Sequence, residues 1–228
     1  MTVRRVLVAT RNAGKLHELR PLLAEAGFEA IDLASAGIPE TAAEAELEAH
    51  DSFEANALAK ARYFAGLARG LPVLADDSGL SVRGLAGAPG VHSKRWSGRP
   101  ELVGRALDQA NNETLLRALS GLADDRASYV CAAAWVGDGH ELVRTGEVHG
   151  RVVASGRGAE GFGYDPHFWS EELGQTFGES TREAKARVSH RARAVRALLE
   201  ALAARPASGA ATMGGWEPPP GPGKGGGG

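Results

Sequence analysis

Two adjacent carboxylates, Asp76 and Asp77, follow the apolar run Leu71-Pro72-Val73-Leu74-Ala75 and precede Ser78-Gly79. An unpaired buried carboxylate is costly, so two of them at the edge of an apolar run must have partners or work to do. Consecutive strand side chains point to opposite faces. One acid can then be anchored by hydrogen bonds while the other meets a cation or a water. Gly79 is expected to let the chain turn sharply, which gives a strand-end acidic site where α/β enzymes gather ligands. A hard divalent cation such as Mg²⁺ suits such oxygens and brings waters and substrate phosphates with it.

The basic residues sharpen this. Positive charge is mostly arginine, and the only lysines are Lys15, Lys60, Lys94, Lys185 and Lys224. The first four fall in or beside segments that stand out on other grounds, and a compact ammonium suits phosphate oxygens. Thr10-Arg11-Asn12-Ala13-Gly14-Lys15 links an apolar strand to a helix whose inner face is Leu16, Leu19, Leu22, Leu23 and Ala26. Backbone N–H groups at that helix start, with Lys15, could cradle phosphates. An ordinary helix capped by Asn12 and stopped by Gly27 fits the same residues. A Walker loop is excluded, because Ala9 and Leu16 stand where it needs glycine and Ser or Thr.

Three weaker constellations follow. Glu48 lies among other acids and is open to either a site or a solvated face, while Asn56 and Lys60 share one helix face. In Gly161-Phe162-Gly163-Tyr164-Asp165-Pro166 a flat ligand could stack on Phe162, or the loop could simply bury its aromatics. His190 and Arg191 offer adjacent donors to an oxygen-bearing base edge, with Lys185 about a turn and a half earlier.

These residues need a frame. Periodicity predicts strands over 3–9, near 28, over 71–80, 127–136 and 141–153. It predicts helices over 16–26, 52–67, 101–119 and 182–204. Pro21 should kink or restart the first helix. Phe53, Leu58, Ala61 and Ala65 should form the inner side of the second. The turn Gly137-Asp138-Gly139 reads as a hairpin. Mixed strands and helices imply an α/β fold with a mixed sheet, one domain over 1–205, and a Pro/Gly-rich disordered tail over 206–228.

Bulk composition narrows the classes. Of 228 residues 43% are hydrophobic and the formal net charge is −2, which supplies neither a basic stripe for nucleic acid nor an attraction to membranes. No apolar run reaches the roughly 20 residues that span a bilayer. The single cysteine, Cys131, allows no internal disulfide and suits a cytoplasmic protein, where it reads as a small core hydrophobe.

In this order, Ala9 to Lys15, Ser52-Phe53 with Asn56 and Lys60, Ala75 to Leu80, Gly87 to Val91 with Ser93 and Arg95, Gly161 to Pro166, and Ser189-His190-Arg191 resemble the inosine triphosphate pyrophosphatase family. The match runs from Val6 to about Leu202. Arg11 departs from the family's more usual glycine, and Ala55 stands where Glu is common. The resemblance implies an elongated mixed sheet with two lobes around a cleft, a homodimer, and dependence on Mg²⁺. It implies water attack at the α-phosphorus of non-standard purine nucleoside triphosphates (ITP, dITP, XTP). Carried over by position, Asp77 would be the general base and, with Glu48, a metal ligand, supported by Asp76. Thr10, Arg11, Asn12, Ala13, Gly14, Lys15, Lys60 and Ser78 would bind the triphosphate. Phe162 would stack on the purine, with Gly163, Tyr164, Asp165, Lys185, His190 and Arg191 at the base and sugar end. Turnover of modified pyrimidine nucleotides, or nucleotide binding without turnover, are the competing readings.

Overall fold

The computed structural model describes residues 4–204; the expected tail over 206–228 lies outside them. One seven-stranded sheet organises the chain, in the order β2-β1-β3-β4-β5-β6-β7. Strand β1 (Arg4–Val8) pairs in parallel with β2 (Phe28–Asp32) and with β3 (Val73–Val82). From β3 onward every pairing is antiparallel, through β4 (Arg126–Gly137), β5 (His140–Val152), β6 (Phe168–Ser170) and β7 (Gln175–Thr176). The sheet is mixed, as expected, and the short β6 and β7 extend it.

Helix α1 (Ala13–Glu25) starts where its cap dictates: the Asn12 side chain accepts a hydrogen bond from the Lys15 backbone N–H, and Gly27 follows at φ +80°. Pro21 neither splits nor restarts it, for α1 is continuous across that position. Helix α1 and helix α5 (His190–Ala203) cover one face, burying Leu19, Leu23, Ala194, Val195 and Leu198 with Val6, Val8, Leu74, Ala133 and Trp135. Helix α2 (Phe53–Ala65) covers the other, packing Ala57, Ala61 and Phe64 on Leu7, Ala75, Ala132 and Ala134.

Strands β3 to β5 run well past the end of β1. Their distal halves, with helix α3 (Gly104–Leu119) and the segment around β6 and β7, build a further core of Leu80, Val82, Leu115, Tyr129, Val148, Phe168 and Phe177. These are the two lobes, and Asp76 and Asp77 sit where they meet.

Four further expectations are corrected. The two acids lie mid-strand, because Asp76 and Asp77 pair with Ala133 and Ala132 and the ladder continues to Val82. Gly79 therefore makes no turn; a Cβ there would strike the Gly90 carbonyl and Ser93, so the glycine admits a close crossing of backbone. The last helix is two, α4 (Arg182–Val188) and α5, broken at Ser189, whose extended backbone (φ −64°, ψ 149°) lets its hydroxyl cap α5 through the Ala192 N–H. Finally, the buried face of α2 is Asn56, Ala57, Lys60, Ala61 and Phe64, while Phe53, Leu58 and Ala65 are only partly covered. Polar residues occupy the inward stripe because they serve the cleft.

The seat of α5 is set by Gly146 on β5, where any Cβ would run into the His190 carbonyl and the Ala194 N–H. Gly146→Ala is expected to lift α5 and cost about 1–3 kcal/mol, the usual penalty of overpacking, measurable as a lower urea midpoint with unchanged m-value.

Candidate functional site

The pleat separates the two acids. Asp76 faces α1 and α5, and Asp77 faces α2, as alternation requires. The Asp76 carboxylate is fully buried and its Oδ2 is gripped by Lys15 Nζ at 3.1 Å and Arg191 Nε at 3.0 Å. Burial alone would raise its pKa, but Lys15, Arg191 and Lys60 hold it far below the usual carboxylate range. Its Oδ1 is buried without a protein partner among the described residues. Asp77 is treated differently. It accepts from Asn56 Nδ2 at 2.9 Å and from the Ser78 N–H at 2.9 Å. Its pKa is raised, by burial first and by the charge of Glu48, against the opposing pull of Lys15 and Lys60. Adjacent residues thus differ in role through environment alone.

Lys60 spans this region from α2, donating to the Asp76 carbonyl at 3.0 Å and pairing with Glu48. Burial weakens the ammonium, yet Glu48, Asp76 and Asp77 together raise its pKa, so it stays charged. Glu48 stays ionised for the reciprocal reason, its burial being outweighed by Lys60. Glu48 is therefore part of the cleft and not of a solvated acidic face.

At the other end, Arg191 uses all three nitrogens: Nε to Asp76, one terminal nitrogen to Glu18, the other to Ser78 Oγ at 2.7 Å. Lys185 donates to Glu18 at 2.7 Å and Asp165 at 2.6 Å, and Asp165 also accepts from the Phe162 N–H at 2.8 Å. Glu18 is the residue that sequence reading missed. It sits on α1 between two cations that draw its pKa down to about 2 despite burial; its only signal in the sequence was its place one turn after Lys15. His190 stacks on Tyr129 (4.5 Å, 5°) and burial, with Arg191 beside it, pushes its pKa well below the ordinary value, so it is neutral. Its Nδ1 has no partner among the described residues.

The Phe162 ring lies against Gly14, where a Cβ would strike it, with Lys185 Nζ 5.2 Å and the Arg191 guanidinium 5.8 Å from its centroid. Asn12, Lys15, Glu48, Asp77, Ser78, Phe162, Gly163, Tyr164, Asp165, Lys185, His190 and Arg191 line one cavity with Lys94, Asp108 and Asn111. Thr10 and Lys60 adjoin it through Asn12 and Glu48. Ala13 is exposed at the start of α1. Arg11 is the exception. Its guanidinium turns away from the cleft to Glu44 and the carbonyls of Ile38 and Pro39.

Residues 6–201 match the model of the Ham1 family. The chain belongs to the Ham1 family. A protein of Bordetella parapertussis named dITP/XTP pyrophosphatase is 45% identical over 205 residues, covering 89% of this chain and 92% of that protein. One of Ralstonia nicotianae with the same name is 44% identical, covering 88% and 97%. Among solved Ham1 structures, the HAM1 protein of Coxiella burnetii is 32% identical with a TM-score of 0.73, covering 88% of this chain and 98% of its own. A dITP/XTP pyrophosphatase from Mycobacterium abscessus is 41% identical with a TM-score of 0.61, covering 87% and 99%.

Glu48 and Asp77 fit a hard cation: both offer carboxylate oxygens to one cavity, close enough for the charge of Glu48 to act on Asp77. No group of three or more Asp, Glu, His or Cys side chains placed to hold a metal ion occurs among the described residues. Two carboxylates with water and substrate oxygens is the arrangement Mg²⁺ favours.

Asp76→Asn takes from Lys15 its carboxylate partner and leaves Arg191 with Glu18 alone, and is expected to destabilise by about 3–5 kcal/mol at pH 7. Because the folded pKa is depressed, this contribution is complete above the ordinary value of about 3.9 and fades as pH falls below it. Urea unfolding from pH 7 to pH 3 should show the gap between the proteins narrowing only at the acid end.

Proposed function

We propose that the protein hydrolyses the non-standard purine nucleoside triphosphates ITP, dITP and XTP to the monophosphate and pyrophosphate, with Mg²⁺. One observation carries this: Asp77, a carboxylate of raised pKa, opens into the same cavity as Lys15, Glu48 and the His190–Arg191 end, in a Ham1 chain whose relatives bear the name dITP/XTP pyrophosphatase.

The triphosphate would lie along the start of α1, held by Thr10, Asn12, Lys15 and the backbone of Ala13 and Gly14, with Lys60 and Ser78 on its other side. Asp77 takes the proton of a water as its oxygen attacks the α-phosphorus. The bond from that phosphorus to the α–β bridging oxygen breaks, and pyrophosphate leaves with the bond's electrons. Asp77 opens into the cavity where that water would stand, and its bonds to Asn56 and Ser78 fix its orientation. Glu48 and Asp77 would hold the Mg²⁺, which when bound acidifies water and neutralises phosphoryl charge.

Base choice would lie with His190 and Arg191. Arg191 commits one donor each to Asp76, Glu18 and Ser78, which leaves two of a guanidinium's five. These and the unpartnered His190 ring nitrogen suit the 6-oxo acceptor of hypoxanthine and xanthine, whereas adenine presents an amino donor there. Phe162 would stack on the purine, beside the Gly163, Tyr164, Asp165 and Lys185 wall. The reading extends to a homodimer working on free nucleotides in the cytoplasm, on the family resemblance; sedimentation velocity should then return twice the monomer mass.

The deciding experiment is Mg²⁺-dependent hydrolysis of ITP, XTP, dITP, GTP and ATP, with pyrophosphate and orthophosphate assayed separately. Pyrophosphate from the first three, with little from ATP or GTP, is the expected result; orthophosphate would sink the α-phosphorus reading. Asp77→Asn should lower kcat by about 10²–10⁴-fold, the usual loss of a general base, while equilibrium dialysis still detects bound ITP.

A further inference from the structure

Twenty residues, 33–52, join β2 to α2, and the only regular structure among them is the 3₁₀ turn Ala42–Glu46. Leu33 and Ile38 are buried at the start of this segment, but from 39 to 52 no side chain is fully buried. Apolar packing near Glu48 is thin: Leu47 alone among 39–52 is a partly buried hydrophobic packed against the core under α2. Polar contacts supply the rest of its hold, and one side chain makes four of them.

That side chain is Arg11. Its Nε and one terminal nitrogen take both oxygens of Glu44, at 3.0 and 2.7 Å, while its terminal nitrogens also donate to the Ile38 carbonyl at 3.0 Å and the Pro39 carbonyl at 2.9 Å. The planar fork of a guanidinium suits such a four-point grip, which a lysine could not reproduce. Glu44 in turn accepts from the Thr41 N–H at 3.2 Å, closing the 3₁₀ turn around the carboxylate that Arg11 holds. Four residues on stands Glu48.

The other end of the grip is equally fixed. Arg11 lies between Thr10, whose hydroxyl accepts from the Asn12 N–H at 3.2 Å, and Asn12, whose side chain accepts from the Lys15 N–H at 3.0 Å. Arg11 is thus indexed to Lys15 and the start of α1. Further along, Arg95 donates to the Glu48 carbonyl at 3.0 Å, and Asn56 exchanges hydrogen bonds with the His50 backbone. Arg11 supplies the upstream anchor that these downstream contacts lack.

We infer that Arg11 is a positioning residue: through Glu44 and the 38–39 carbonyls it holds the Glu48 segment in register with the phosphate turn, and so sets the affinity of the site for its divalent cation. This rests on Glu48 being a cation ligand, as proposed above. It also assigns the arginine a task distinct from touching phosphate.

The test uses Mn²⁺ as the probe, its binding to the full chain measured by calorimetry and by electron paramagnetic resonance, with amide hydrogen exchange over 38–48. Arg11→Ala is expected to weaken Mn²⁺ binding about tenfold, the scale of losing an outer-shell support of a metal ligand, and to speed exchange across 38–48. Arg11→Lys should fall between it and the wild type. Glu44→Gln, which lies off the cleft, should reproduce the direction of both changes. Unaltered Mn²⁺ affinity in Arg11→Ala would overturn the inference while leaving the proposed hydrolysis intact. Weaker ITP binding without metal in Arg11→Ala, with no effect of Glu44→Gln, would instead make Arg11 a phosphate ligand and overturn it too. A wild-type chain that binds no Mn²⁺ would overturn both this and the metal-dependent reading.

Discussion

A fully buried Asp76 carboxylate between Lys15 and Arg191 is the interaction on which the rest of the molecule depends. Charges removed from water must be matched, and matching here continues beyond one pair. Arg191 reaches Glu18, Glu18 reaches Lys185, and Lys185 reaches Asp165. Each step joins a different element: β3, α5, α1, α4 and the loop that carries Phe162. None of these can shift without exposing a partner to an unpaired buried charge, which costs more than the pair itself contributes. The chain of alternating charge therefore acts as scaffold for the cleft that it lines.

Two of the departures from simple patterning follow from that scaffold. The final helix breaks at Ser189 so that His190 and Arg191 emerge in the first turn of α5 with their side chains toward Tyr129 and Asp76. An uninterrupted helix from Arg182 would set the two residues by its own 3.6-residue repeat. Helix α2 buries Asn56 and Lys60 more fully than Phe53 and Leu58, which pack partly buried on the same side, because Asp77 and the Asp76 carbonyl take donors from α2.

Much of this was legible in the residues. The Asn12 cap, the hairpin over 137–139, the mixed sheet and the opposite-facing acids follow from local types and spacing, whereas the gathering of Lys15, Lys60, Lys185, His190 and Arg191 with the acids was implied by the family resemblance. What escaped was set by distance in space. Gly79 looks like a turn until Gly90 and Ser93 are seen crossing it. Glu18 looks like any exposed helical acid until Lys185 and Arg191 arrive from 167 and 173 positions away. Arg11 sits inside the turn from Thr10 to Lys15, and only the path of 38–46 shows that it faces away from the cleft. A hydrophobic period reports what is buried for packing; it is silent about polar residues buried for pairing.

The pleat at Asp76 and Asp77 has a consequence for how this protein can change over time. Side-chain direction alternates with every residue, so inserting or deleting one position upstream in β3 would exchange the two acids between faces. Asp77 would then turn to the face of Lys15 and Arg191, and Asp76 to the face of α2. In the residues of β3 that precede the acids, a substitution leaves each carboxylate on its own face, whereas a change of length by one residue does not.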